Sequence, residues 1–146
     1  MSGQWGTKSI RDIPSGYILD FVTEHNYQCF LGKTAIELAE GISLRAAIIL
    51  IQEFGGGRVS VPHNVTDEHR LNYLLGEDDF ARLIWMYQGE EIEVPAGRKL
   101  NSLLREHEIY KHHRKGLSQW EIANKYGITE RGVRKILRRH QNRKKI

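Results

Sequence analysis

Apolar side chains recur every three or four positions along much of the chain, which is the spacing of one face of an α-helix. The clearest stripes predict helices over residues 43–54, 66–76, 78–87 and 100–116. Thr66 is the expected cap of the second of these, and Ser43 begins the first. Weaker patterns predict a short helix around residues 17–22 and another that starts at a Thr34–Glu37 capping box and ends near Gly41. The chain is therefore predicted to be mainly helical.

One pattern occurs twice. Residues 51–62 and residues 84–95 each show a helix end, glycine, a short alternating apolar segment and a proline. Val59 and Val61 would share one strand face, and Ile92 and Val94 would share another. Two copies are too few for a solenoid. They predict a small β-ribbon, formed either within one chain or between subunits.

Residues 46–51 are apolar nearly all round the predicted helix, which indicates burial on more than one side. A partner subunit is the natural cover for such a helix in a chain of 146 residues, and packing within the monomer is the alternative. We therefore predict a homodimer with these interface residues: Ile48, Ile51, Phe54, Val59, Val61, Leu83 and Ile84.

Residues 118–137 carry the most informative motif. Ser118 and Glu121 have the spacing of a capping box, and Gly127 provides the positive φ of a tight turn between helices. Thr129 can cap the next helix, in which Val133, Ile136 and Leu137 form an inward stripe. This arrangement predicts a helix-turn-helix, which places its second helix in the major groove of DNA. An ordinary helical hairpin is the alternative.

The outward positions of the second helix are charged and mostly basic. Arg131 and Arg134 are candidates to read bases, because arginine offers paired donors to guanine. The other candidate DNA contacts, which include phosphate contacts on both helices, are Ser118, Gln119, Lys125, Thr129, Glu130, Lys135 and Arg138. The basic run over residues 138–145 predicts nonspecific phosphate contact or a disordered end. Arg58, beside three glycines, is a possible minor-groove contact, or a surface residue that flanks a strand.

The net charge of +4 conceals a sharp division. From Arg98 onward, 15 Lys and Arg stand against 4 Asp and Glu, a net charge of +11, whereas residues 1–97 hold 7 against 14, a net charge of −7. This asymmetry indicates nucleic acid as the partner of the C-terminal part. A hinge is predicted at residues 95–97. The hinge and the charge asymmetry together predict an N-terminal dimerisation domain (1–95, poorly defined over 1–33) and a three-helix DNA-binding domain (98–146).

Composition narrows the class of protein further. Cys29 is the single cysteine and has no partner for a disulfide, which fits a reducing cytoplasm. The longest apolar run, residues 46–51, is too short to cross a membrane, and the start of the chain lacks the pattern of a secretion signal. We expect a cytoplasmic protein.

These residues together resemble the Mor/C transcription activators of Mu-like bacteriophages, over roughly residues 34–140. The resemblance rests on the glycine–strand–proline segment of residues 53–62, on Arg105 with Ile109, and on residues 122–129. It implies an intertwined homodimer that binds an imperfect palindrome beside a phage promoter and recruits the host RNA polymerase. Three glycines stand at 55–57 where two are expected, and the acidic N-terminal part is longer.

Other functions are less well supported by the sequence. His107, Glu108 and His112 suggest a metal site, but Lys111 stands where an HExxH motif needs its second histidine. No serine or tyrosine constellation of a recombinase is evident, although an accessory protein of recombination stays open. The sequence does not distinguish an activator from a repressor; the acidic residues at 77–79 and 90–91 are either polymerase contacts or helix caps. We expect no enzyme, cofactor or metal.

Overall fold

The computed structural model describes residues 10–26, 28 and 31–144, and Cys29 lies outside them. The chain divides into two compact units: residues 13–99 form one, and the described residues of the other are 10–12 and 100–144. The described part of the chain is mainly helical with a small two-stranded sheet, as predicted. Whether the two units serve dimerisation and DNA binding stays a prediction.

The unit of residues 13–99 contains five helices and two short strands in its described part. Helix α1 (Ser15–Glu24), α2 (Lys33–Gly41) and α3 (Leu44–Phe54) precede strand β1 (Arg58–Ser60). Helix α4 (Arg70–Leu75) and α5 (Glu77–Tyr87) follow, and strand β2 (Glu91–Glu93) comes last. Helix α3 packs against both α1 and α2.

Helix α3 begins as predicted, since the Ser43 side chain accepts a hydrogen bond from the Ala46 amide at 3.0 Å. Every side chain from Ala46 to Gln52 is buried, and Gln52 Nε2 donates to the Ile13 carbonyl oxygen at 2.6 Å. The chain therefore covers this helix by itself. This burial agrees with the alternative of packing within the monomer, in which α1 and α2 supply the apolar surface.

The predicted dimer-interface residues belong to the core of one chain. Six of them are buried: Ile48, Ile51, Val59, Val61, Leu83 and Ile84. Phe54 is half-buried, and the Arg70 guanidinium lies 5.2 Å from the centre of its ring. The packing of these side chains thus follows the monomer alternative, and the homodimer stays a prediction without support from α3.

The predicted ribbon is present and lies within one chain. Strands β1 and β2 are antiparallel, with Val59 opposite Ile92. Main-chain hydrogen bonds extend the pairing on either side: Gly56 donates to Val94, and Gly89 donates to Val61, each at 2.9 Å. Both glycines have positive φ, as tight turns beside the strands require.

Two predicted helix caps were wrong. Helix α2 begins after Gly32, and no side chain caps it, so Thr34 and Glu37 form no capping box. Helix α4 begins at Arg70 rather than after Thr66, because the His69 ring nitrogen accepts from the Leu71 amide at 3.1 Å. The same ring stacks on Phe80, so tertiary packing places the cap one turn later.

The second unit contains three long elements in its described residues: α6 (Arg98–Arg114), α7 (Gln119–Tyr126) and α8 (Glu130–Lys144). A short 3-10 helix, Ile10–Asp12, belongs to the same unit. Residues 94–97 connect β2 to α6 without helix or strand; that they act as a hinge stays a prediction.

Candidate nucleic-acid interface

Helix α7 begins with the predicted capping box. The Ser118 side chain accepts from the Glu121 amide at 3.1 Å, and the Glu121 carboxylate accepts from the Ser118 amide at 2.9 Å. The hydrogen bonds from the main chain and side chain of Ser118 lower the pKa of Glu121. These reciprocal bonds fix the first turn of α7, where two predicted DNA contacts, Ser118 and Gln119, lie.

The turn between α7 and α8 also follows the sequence prediction. Gly127 adopts the left-handed conformation (φ 67°, ψ 35°), and the Ile128 amide donates to the Ala123 carbonyl oxygen at 3.0 Å. Thr129 caps α8 through its hydroxyl, which accepts from the Gly132 amide at 3.0 Å. The turn thus sets the direction in which α8 leaves α7.

A small apolar core holds α6, α7 and α8 together. Val133 is fully buried, Leu137 is buried, and Ile136 packs against them, which confirms the predicted inward stripe of α8. The remaining buried members of this core are Ile109, Ile122, Ala123 and Tyr126. Because α8 places one side in this core, its opposite side is the one exposed to solvent.

The exposed side of α8 carries four of the predicted DNA contacts as cations. Arg131, Lys135 and Arg138 are exposed, and no hydrogen bond or ion pair to another described residue engages their side chains. Arg134 is exposed as well, and its Nη1 donates to Gln119 Oε1 at 3.3 Å. The structure therefore brings the predicted contacts of the two helices onto one surface, which we call the α7–α8 surface: Ser118, Gln119, Arg131, Arg134, Lys135 and Arg138.

The other predicted contacts differ in accessibility. Thr129 and Glu130 are exposed at the start of α8, although the Thr129 hydroxyl already accepts the capping bond. Lys125 is half-buried near the end of α7, and its charge contributes to lowering the pKa of His112.

The basic C-terminal run is not a free tail, as residues 139–143 show. Glu106 of α6 is buried and accepts a hydrogen bond from Arg143 Nη1. Arg139 forms an ion pair with the same carboxylate, with its Nε 3.2 Å from Glu106 Oε1. The His140 ring, also buried, lies 3.7 Å from the same carboxylate and 4.1 Å from the Tyr110 ring centre. The prediction of a disordered end was wrong for these residues, because α8 continues to Lys144 and packs on α6. Phosphate contact by the basic run stays a prediction. Lys145 lies outside the described residues.

Sequence reasoning missed Glu106, although one pattern points to it. Glu106 follows Leu103 by three positions and precedes Tyr110 by four, so it lies on the inward stripe of α6. A carboxylate on an apolar stripe needs a cationic partner when it is buried. Basic residues at 139 and 143, one helical turn apart, were the available partners.

The histidines of α6 face different neighbours. His107 lies 5.9 Å from the His140 ring, whereas His112 lies 5.9 Å from the Tyr126 ring. Burial, and then the positive charge of Lys125, lower the pKa of His112, and burial raises the pKa of Tyr126. In the residues that the structure describes, no group of three or more His, Cys, Asp or Glu side chains is placed to hold a metal ion.

Two further candidate contacts, both in residues 13–99, have partners there. Arg58 bridges Glu91 at 3.3 Å and Glu93 at 3.1 Å across the ribbon, and its hydrogen bonds to these carboxylates raise its pKa. Asp79 accepts from Ser43 Oγ at 2.9 Å and lies within 4 Å of Arg45 and Arg82. Arg58 thus acts as a cross-strand clamp, and Asp79 ties α5 to the start of α3.

Comparison with known proteins gives the family. No curated protein and no solved structure matches the chain. Within the described ranges, no helix is both long enough and apolar enough to span a bilayer. The sequence model of the Mor transcription activator family matches residues 68–145, which include α4 to α8 but not the glycine phrase at residues 53–62. This match covers more than half of the chain, which therefore belongs to the Mor transcription activator family, a family of transcription regulators and not of enzymes.

Proposed function

We propose that the protein binds double-stranded DNA sequence-specifically with a helix-turn-helix formed by α7 and α8, and that it activates a phage or prophage promoter by recruiting host RNA polymerase. The observation that carries the proposal is the row of cations on α8 whose side chains are exposed. Family membership supports the regulatory role.

The dimensions of α8 suit a major groove. Arg131 and Arg138 are seven positions apart, which is roughly 10 Å along a helix, and the major groove is about 12 Å wide. Arg131 and Arg134 lie in the first two turns of α8, which is where a recognition helix contacts base edges. Lys135 and Arg138 would contact phosphate, as would Ser118, Gln119 and Lys125.

A homodimer is part of the proposal, since paired half-sites about one helical turn apart give a helix-turn-helix protein its selectivity. The α3 residues from Ala46 to Gln52 are buried within one chain, so they give the homodimer no support. Large exposed apolar side chains in the unit of residues 13–99 are better candidates, above all Tyr73 on α4 and Trp85 on α5, which are 79% and 82% exposed. Aromatic residues are enriched at protein interfaces.

Selection of binding sites from random duplexes, followed by transcription with purified bacterial RNA polymerase, tests the proposal. We expect a selected site with two half-sites, and more transcript from a weak promoter beside that site. The same assays on Arg134→Ala test the contribution of α8, and Lys33→Ala, which removes a cation exposed on α2, is their charge-matched control.

Each result is informative about a different part of the proposal. Selection without any enriched sequence would refute specific binding. Specific binding with less transcript would identify a repressor. Specific binding that leaves transcription unchanged but alters a recombination reaction would favour the accessory role.

A further inference from the structure

One contact distinguishes Arg134 from the other exposed cations of α8. Arg134 Nη1 donates to Gln119 Oε1 at 3.3 Å, so the contact joins the first residue of α7 to the second turn of α8. Gln119 precedes the buried Ile122 and Ala123 by one helical turn, and its own side chain is half-buried. Its placement therefore depends on the packing of α7 against the core.

The chemistry of the two side chains leaves useful groups available. A guanidinium has five N–H donors in one plane, and the contact with Gln119 needs only one of them. The edge formed by Nε and Nη2 stays available for the paired acceptors O6 and N7 of guanine. The Gln119 amide has two further donors on Nε2, which suit a phosphate oxygen.

We propose that Gln119 is a positioning residue for base recognition: its carbonyl oxygen orients the Arg134 guanidinium, while its amide nitrogen donates to a DNA phosphate. This inference rests on the proposed function. Holding a long side chain in one rotamer before binding removes part of the entropy cost of the contact. Arg131, which makes no such contact with another described residue, has to be ordered by DNA itself.

Two substitutions of Gln119 separate its two roles. Gln119→Leu removes both the acceptor and the donors, so we expect about a three- to tenfold loss of affinity for the selected site. Discrimination should fall at the base pair that Arg134 reads and stay unchanged at the others. Gln119→Glu keeps the acceptor and loses the donors; it should weaken binding to all duplexes, by charge repulsion, while discrimination at that base pair is retained.

The experiment measures affinity for the selected duplex and for duplexes with each half-site base pair replaced, using wild type, both variants, Arg134→Ala and Gln119→Leu/Arg134→Ala. Gln88→Leu, an exposed glutamine after α5, is the matched control. Because Arg134 carries the discrimination, Gln119→Leu should cost less in the Arg134→Ala background. Thermal unfolding checks that each variant is folded.

The positioning role would be overturned if the affinity losses of Gln119→Leu and Arg134→Ala were additive in the double variant. An equal loss of discrimination at every base pair in Gln119→Leu would overturn it as well, and either result would leave the proposed DNA binding intact. A loss of discrimination with Gln119→Glu as large as with Gln119→Leu would overturn it too. Failure of the wild-type protein to discriminate any base pair would instead refute the proposed function, and the positioning role with it.

Discussion

Glu106→Gln is the sharpest test of how α8 is held on α6. The carboxylate is 6% exposed and faces two arginines and a histidine. Its replacement leaves the two guanidinium groups without a counter-charge. Removing one partner of a fully buried ion pair costs about 3–5 kcal/mol. The cost here is smaller, because the Arg139 side chain is 60% exposed and water solvates it.

We expect the free energy of unfolding of residues 100–144 to fall by roughly 2–3 kcal/mol, a value between those of exposed and buried pairs. Hydrogen exchange of α6 and α8 peptides, read by mass spectrometry, measures this loss locally. Glu108→Gln is the control on the same helix. The Glu108 carboxylate is 13% exposed and lies 3.3 Å from Lys111 (i,i+3), whose side chain is 42% exposed, so we expect a smaller loss than for Glu106.

A double-mutant cycle identifies the cause. If Glu106→Gln destabilises because guanidinium groups lose their counter-charge, then Arg143→Gln should recover part of the loss when the two are combined. A Glu106→Gln variant whose exchange in α8 matches that of Glu108→Gln would refute the reasoning. So would a loss that is the same whether residue 143 is Arg or Gln.

Four further predictions concern base reading by α8, the salt dependence of DNA binding, the pH dependence of stability and the proposed subunit interface. Arg134→Ala should weaken binding to the selected site by about 1–3 kcal/mol and reduce the base preference at one base pair per half-site. An equal loss of affinity for selected and scrambled duplexes would make Arg134 a phosphate contact. Arg138→Ala should reduce the slope of affinity against salt concentration by about the amount of one phosphate contact. Arg139→Ala, which breaks the pair with Glu106, should change this slope little. Equal changes in slope would show that both arginines contact DNA. Burial in the folded state lowers the pKa of His112, so the unfolded chain takes up a proton first and the free energy of unfolding should fall as pH drops below about 6.5. In denaturation experiments between pH 8 and 5, His112→Gln should lose less stability than wild type. An equal loss in the two proteins would exclude His112 as the source. Trp85→Glu should reduce dimerisation in light scattering, whereas Ile51→Asp, in the core of one chain, should unfold the protein; a wild-type monomer at micromolar concentration would contradict the dimer.

Local rules explain what the sequence predicted well. The capping box at Ser118, the left-handed turn at Gly127 and the cap at Thr129 each depend on residues at most five positions apart. The antiparallel ribbon followed from two matching patterns. Such features need little knowledge of the rest of the fold, because the hydrogen-bond partners are neighbours in sequence.

Features that depend on distant partners were predicted poorly. The His69 cap is fixed by stacking on Phe80, and the cover of α3 comes from α1 and α2. The pairing of Glu106 with Arg139 and Arg143 spans more than 30 positions. For the α7–α8 surface, the sequence identified the exposed cations but not the contact between Gln119 and Arg134, which requires the angle between two helices.

The position of Glu106 changes how the basic C-terminal part should be understood. Net charge alone suggests that the last residues of the chain contribute as much to DNA attraction as the middle of α8. Arg139 and Arg143 both pair with the Glu106 carboxylate, while Arg131, Lys135 and Arg138 have no acidic partner among the residues described. Among the side chains that the structure describes on α8, the cations without an acidic partner therefore lie in its first nine residues (130–138). That distribution favours an approach in which the start of α8 faces the groove and its later turns serve to hold it on α6.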